Sequence, residues 1–503
     1  MDLSQVGKGA GITFSGTMIG KGLLIVYTLL LARVLSTTEL GIYFLGMTIV
    51  RTLAIIATLG LGAGLVRHVA IYQGKGDFSK IKGTVLFAAK ITLLNSIALV
   101  LLVWLTGDII ATRFFGKPEL SVILKALAIS IPFEVLMRIF LASTRGLKLM
   151  QYAAYTEHIG WIGSRFTFAV VMVVVIDMGL QGVVFAYVAS SVFAAVLAFG
   201  FANRHIPLLD RTIRGSHESG KLLRFSVPMV FTAMLHDLMT HIDIFMLGLF
   251  ASASALGIYS VSVRMVNLAK IVFMAFQPIF QPFVAEFYDR KEFERLSWLL
   301  KTLTHWSVIL SLPVFLSLIF FPCLFLALFN KELLVGSSCL AMLAGAYMLS
   351  TISNLPSAMI FMSGRSDITL KNNLIVLILN VILNYCLIPV YGIVGAALAT
   401  GFSLVFLAAI RIVEVYRLMG IHPFRRSLWK PALAGAFSIF LTAIVVQLFS
   451  FEKYFFGWAG LALFWLIYLL LVWAFRFSEE ELYVKDLIKK KMLTFATKGT
   501  AVR

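Results

Sequence analysis

Seven ionisable side chains stand inside long apolar runs: the bases Lys21, Arg51, Arg264 and Lys270, and a cluster of His236, Asp237 and Asp243. Charge at bilayer depth is costly, so such groups face a protein interior or a wet cavity. Arginine offers a fork of donors and lysine a compact charge. The four bases therefore read as the lining of a cavity that binds an anionic group, such as a diphosphate or an acidic sugar. A carboxylate at mid-membrane can be neutralised by a proton or a sodium ion, and imidazole titrates near neutral pH. The cluster of His236, Asp237 and Asp243 thus reads as an ion-coupling group. A second reading pairs Asp237 with Lys21 as a gate. Thr13, Thr17, Lys21 and Thr28 form one polar stripe on a helix, and Thr232, His236, Asp237, Thr240 and Asp243 share one broad arc of another.

Other deep charges suit plainer roles. Arg165, Glu157, and the pair Glu134 and Arg138 (one helical turn apart) are expected in structural ion pairs. Lys125 and Lys301 lie near span ends and snorkel, while Lys90 could do either. The sequence contains no HExxH, no CxxC pair, no P-loop and no carboxylate pair on an outward loop. Neither an enzyme site nor a metal or cofactor is expected. Cys323, Cys339 and Cys386 all sit in apolar runs and read as small core residues, not as a disulfide framework.

The elements that hold these residues follow from composition. Of 503 residues, 60% are apolar and only 13% charged, and the mean hydropathy is +0.95. A soluble domain is about a quarter charged, so a cytosolic enzyme, a disordered scaffold and a secreted disulfide module are excluded. Stretches long enough to span a bilayer occur near 12–33, 40–64, 83–106, 119–142, 153–176, 180–201, 226–250, 256–284, 298–321, 335–362, 369–389, 393–414, 431–449 and 456–475. The expected fold is all-α and polytopic, with about 14 transmembrane helices. Pro132, Pro228, Pro278, Pro282 and Pro356 fall inside spans, and the pair Pro278 and Pro282 looks most like a hinge.

The net charge of +19 is distributed by side, not by patch. With the N-terminus cytoplasmic, the outward loops carry only Arg33, Arg113, Lys117, Lys331 and Lys453, and most of the 43 Lys and Arg lie on the inner side. That bias sets both termini in the cytoplasm. The excess needs no nucleic acid, and the tail run Lys489, Lys490 and Lys491 is expected to meet anionic lipid headgroups.

The chain also repeats itself. Leu40-Gly41-Ile42-Tyr43 recurs as Leu256-Gly257-Ile258-Tyr259, an offset of 216, and the same offset carries the span starts at 83, 119 and 153 onto 299, 335 and 369. Gly179-Leu180-Gln181-Gly182 matches Gly392-Ile393-Val394-Gly395 at an offset of 213. Six spans followed by six in the same orientation make a parallel repeat. The expected divisions are a lobe at 1–201, a linker at 202–224, a lobe at 225–418, two further helices at 419–475 and a basic tail at 476–503. The offset sets Lys21 and Asp237, opposite in charge, at equivalent places in the two lobes.

Four segments, in this order and spacing, resemble a known family: LSTTELGIY (35–43), ASASALGIY (251–259), FQPIFQPFVAEFYDRKEFERL (276–296) and YGIVGAALAT (391–400). They are similar to the polysaccharide flippases of the multidrug/oligosaccharidyl-lipid/polysaccharide exporter superfamily, over about residues 8–475. The resemblance implies two lobes in a V around a central cavity. It implies a flippase moving a polyprenyl-(di)phosphate-linked glycan from the inner to the outer leaflet of the cell membrane for surface polysaccharide assembly, with glycan assembly enzymes as further partners. A cation-coupled multidrug exporter of the same superfamily is the nearest alternative. A membrane-embedded glycan polymerase or ligase and an uncoupled scramblase are more distant ones.

The topology can be read directly. In a chain freed of its own three cysteines, a cysteine beside Lys453 should react with an impermeant maleimide in intact cells, and one replacing Ser216 should not. Labelling at position 216 alone would invert the model of sidedness.

Overall fold

The computed structural model describes residues 3–448, apart from 211, 213, 214, 217 and 272–275, together with residues 455–474. Lys453 and the tail at 476–503, with Lys489, Lys490 and Lys491, lie outside the described residues. All regular structure among the described residues is helical, as expected. Among the described residues, twelve helices are long and apolar enough to cross a membrane. One of them, Asp367–Met419, holds both the eleventh and the twelfth span of the sequence reading, because Gly392 breaks it at φ 57° and ψ −130°. The eighth span is not among the twelve. Its described helices are Ala253–Ala269 and Gln277–Asp289, neither of which alone reaches spanning length. Counting both restores fourteen crossings. Large apolar side chains left exposed on these helices, such as Leu105, Val175 and Trp473, are the surface that meets lipid.

The second span ends earlier than 64. Its helix runs Thr37–Ala57, then Leu59 and Gly60 take positive φ and a new helix begins at Leu61. The break has a packing cause. A Cβ at Gly60 would lie 2.1 Å from the Ser226 carbonyl oxygen of span 7, an approach that only glycine permits. The span opens on a capping box: Glu39 accepts from the Ser36 N–H at 2.9 Å and the Ser36 hydroxyl accepts from the Glu39 N–H at 3.3 Å.

Packing divides the chain into two compact units. One comprises Met1–Leu268, Leu326–Leu343 and Asn373–Ser403; the other comprises Ala269–Phe325, Ala344–Asn372 and Leu404–Arg503. In the second unit, Phe280 and Val284 of the FQPIFQPFVAEF segment are fully buried against Leu296, Leu300, Leu355, Met359 and Val415. That motif is scaffold.

In the first unit the two LGIY copies meet. A Cβ on Gly41 would fall 1.8 Å from the Ala253 carbonyl oxygen, and one on Gly257 would fall 2.1 Å from that of Thr37. Thr37 and Ser254 share a 2.8 Å hydroxyl contact beside this crossing. Tyr43 and Tyr259, two residues beyond each glycine, are both fully buried. The second repeat shows equally in the backbone. Gly179 and Gly392 both hold positive φ, at 51° and 57°, and Gly182 and Gly395 both back closely onto a carbonyl.

Backbones this close should not tolerate a methyl group. Gly41→Ala and Gly257→Ala should each cost about 1–3 kcal/mol of stability, read as a lower thermal midpoint in detergent. Gly62→Ala, where nothing lies within 4 Å, is the control expected to melt like the native protein.

Candidate functional site

Span 2 and span 7 bring the first pair of charges together. The Arg51 Nε lies 3.5 Å from Asp237 Oδ1, the Thr52 hydroxyl donates to Asp237 Oδ2 at 2.7 Å, and His241 Nδ1 is 3.2 Å from Oδ1. Asp237 is 3% exposed and Arg51 is 49% exposed. The carboxylate is thus satisfied from three sides, while the guanidinium is held by one edge. Burying an isolated carboxylate in an apolar setting would be prohibitive, and these three partners are what permit it. The partner of Asp237 is Arg51, a residue set one span away from Lys21. His236 is exposed, and His241, one turn beyond Asp237, is the imidazole that meets the carboxylate. An i, i+4 count from Asp237 could have found it.

Asp243, also on span 7, sits in a separate oxygen-rich cage. The Tyr259 hydroxyl donates to Oδ2 and the Asn384 amide to Oδ1, both at 3.0 Å. Asn384 also donates to Asn380 Oδ1 at 2.8 Å, and the Thr400 hydroxyl lies 3.3 Å from that of Tyr259. The Asn384 carbonyl oxygen is buried without a hydrogen-bond partner among the described residues. One carboxylate, two amide carbonyls and two hydroxyls make a hard donor set of the kind that takes a proton or an alkali cation and not a transition metal. No group of three His, Cys, Asp or Glu suited to a metal occurs among the described residues.

The remaining bases are dispersed. Arg264 places its guanidinium 4.1 Å over the Phe44 ring, within the same unit. Lys21 is half-buried on span 1, next to Gly20, which packs on His158 of span 5, while Thr17 bonds the His158 ring at 3.2 Å. Lys270 belongs to the other unit, with its ammonium 3.6 Å from the centre of the Tyr347 ring. Glu134 and Arg138 form the expected ion pair at 3.8 Å, whereas Glu157 is taken by Arg145 at 2.6 Å. Lys117, outside the spans, donates to the Gly248 and Ala251 carbonyls at 2.6 and 2.9 Å and so caps the C-terminal end of span 7. Burial in that position holds its ammonium below the usual lysine range.

The fold and these two sites can now be set beside known proteins. The profile of the polysaccharide biosynthesis protein family matches residues 6–286, more than half of the chain. The chain belongs to that family. The MatE profile matches residues 228–386 of this family member. It is 22% identical over 394 residues to the probable low-salt glycan biosynthesis flippase Agl15 of Haloferax volcanii, covering 78% of this chain and 79% of that protein. In structure it resembles the lipid II flippase MurJ in an inward closed conformation, with a TM-score of 0.72 at 17% identity over 94% of this chain and 99% of that one. An inward-facing multidrug resistance MATE transporter of the MOP superfamily aligns with a TM-score of 0.70 at 14% identity, covering 82% and 98%. The resemblance read from the four segments is thereby borne out. This family member is an all-α, multi-pass membrane protein.

The pairing of Asp237 is open to a double-mutant cycle. Arg51→Met and Asp237→Asn should couple by about 1–3 kcal/mol in thermal unfolding, and His241→Ala should also couple to Asp237→Asn. His236→Ala should add independently. A cycle in which only His236 couples would reverse the assignment.

Proposed function

We propose that the protein is an alternating-access flippase that moves a polyprenyl-(di)phosphate-linked glycan from the inner to the outer leaflet of the cell membrane, in the service of surface polysaccharide assembly. Both termini are cytoplasmic, and the six-span repeats at 1–201 and 225–418 act as the moving lobes. The observation that carries this reading is Arg51: a guanidinium at mid-span, fixed by its Nε to a buried Asp237 yet 49% exposed. An arginine held by one edge keeps donors for an anionic headgroup, and a fork of N–H groups fits phosphate oxygens. Arg264, stacked on Phe44, adds a second cation within the same unit. Membership of the polysaccharide biosynthesis family and the name of the Haloferax relative favour a glycan as the cargo.

The Asp243 cage is the ion-coupling part of this reading. A proton or sodium ion bound there with different affinity in the two access states would bias the equilibrium between them. His236 has no place in that role, and Asp237 serves Arg51. The MatE match over 228–386 favours a cation-coupled multidrug exporter as the second reading.

The test is flipping of a polyprenyl-diphosphate-linked oligosaccharide in proteoliposomes, with cationic dyes as competing cargo. Arg51→Ala and Arg264→Ala should each lower glycan flipping at least about tenfold, as expected for lost charge-assisted hydrogen bonds, with normal membrane insertion. Asp243→Asn should remove the dependence on sodium or on a proton gradient. Dye efflux without glycan flipping would replace this reading by the multidrug one.

A further inference from the structure

The repeat that relates the two halves also relates their buried polar centres. Offset 216 carries Tyr27 onto Asp243 and Tyr43 onto Tyr259, and offset 213 carries Tyr187 onto Thr400. The contacts are repeated with the positions. Tyr43 meets Tyr27 hydroxyl to hydroxyl at 2.9 Å, as Tyr259 meets Asp243 at 3.0 Å. The Tyr43 and Tyr187 rings pack edge-on at 6.5 Å, where Tyr259 and Thr400 share a hydroxyl contact at 3.3 Å. Span 5 answers to span 11, and the residue at offset 216 from Arg165 is Val381, inside the stretch Asn380 to Asn384.

The first copy therefore has a tyrosine where the second has the carboxylate of Asp243, and it carries a cation, Arg165, on the span whose counterpart carries Asn380 and Asn384. Arg165 is 7% exposed. Its guanidinium lies 4.3 Å from the Tyr187 ring centre and 4.6 Å from that of Trp161, in the corner between two π faces that attract a cation. Its Nε and Nη2 have no hydrogen-bond partner among the described residues. The anionic influence on it is Glu134, the ion-pair partner of Arg138, 1% exposed, which accepts from the Tyr187 hydroxyl at 2.7 Å and from Ser130 at 3.1 Å. Its other oxygen, Oε2, has no hydrogen bond and faces Arg138 at 3.8 Å. A structural ion pair would be built with direct hydrogen bonds between the partners. This one is a box of aromatic rings with an anion in its wall.

We infer that this box is the N-terminal counterpart of the Asp243 cage, a cation-binding site already filled by the chain's own Arg165. The inference rests on reading Asp243 as an ion site. The second lobe then carries an exchangeable cation and the first a tethered one. Deleting the tethered side chain opens a site for a free cation of the same shape, guanidinium.

The test uses the purified full-length protein in detergent and reads the thermal midpoint. Arg165→Ala should lower it, and guanidinium at low millimolar concentration should return about half of the loss or more, as ligand binding to a native site does. An equal concentration of potassium chloride should not, and the native protein should not respond to guanidinium at all. A folded Arg165→Ala that gains nothing from guanidinium overturns the inference. If Arg165→Ala does not fold, Arg165→Lys and Arg165→Met decide. A tethered cation predicts that the lysine variant melts near the native protein and the methionine variant well below it, and equal melting of the two overturns the inference. Sodium titration of the native protein and of Asp243→Asn reports on the other cage separately. Sodium stabilisation without guanidinium rescue sinks this inference alone, and rescue without a sodium effect sinks the Asp243 reading alone.

Discussion

Gly41 and Gly257 let two helices approach until backbone touches backbone, and the polar architecture of the first unit is arranged around that contact. A Cβ on either residue would collide with a carbonyl oxygen at 1.8 or 2.1 Å. Inside a bilayer there is no hydrophobic force between helices, so close packing of small residues is a main source of association. Because the crossing is between equivalent residues of the two repeats, it fixes the register of everything that follows on spans 2 and 8. Two residues on, Tyr43 and Tyr259 turn into opposite buried centres. Further along span 2 comes Arg51, and further along span 8 comes Arg264, whose guanidinium returns to Phe44.

The helices, their number and their repeat were legible in the sequence because the bilayer imposes them. A run of about 20 apolar residues has no alternative to a helix there. Where spans end was less legible. Span 2 stops at Ala57 and not near 64 because Gly60 must pass the Ser226 carbonyl, a neighbour far away in sequence. In the eighth span Pro282 lies inside the helix Gln277–Asp289, while Pro278 stands in its first turn. Proline is well tolerated there because its missing N–H has no intrahelical partner to lose.

The candidate site was half legible, for a geometric reason. Depth could be read from position, which singles out Arg51, Asp237, Asp243 and Arg264. Partnership could not, because a repeat offset identifies equivalent residues, and equivalents related by an axis meet only on that axis. Gly41 and Gly257 lie on it and touch. For Lys21 and Asp237 the offset gave equivalence, while the carboxylate is held by Arg51, Thr52 and His241. Asn380, Asn384 and Thr400 went unremarked because neutral polar residues are unexceptional in membrane helices, and only the fold gathers them on Asp243.

The contrast between the two buried centres bears on how such a molecule could be driven. A ligand shifts a conformational equilibrium only through its different affinity for the two states, and only if it can leave. A guanidinium on the chain is present in both states at the same effective concentration, so it contributes a fixed energy and responds to no gradient. On the proposed reading, an oxygen cage around Asp243 responds to whatever cation the solution supplies. Were both centres exchangeable, one gradient would act on both lobes, and its net effect would depend on the difference between two nearly equivalent sites. Filling one with Arg165 removes that cancellation. On that reading the energy of ion binding falls on the half of the chain that contains Asp243, and Asp237, which holds Arg51 of span 2, stands six residues from Asp243 on the same helix.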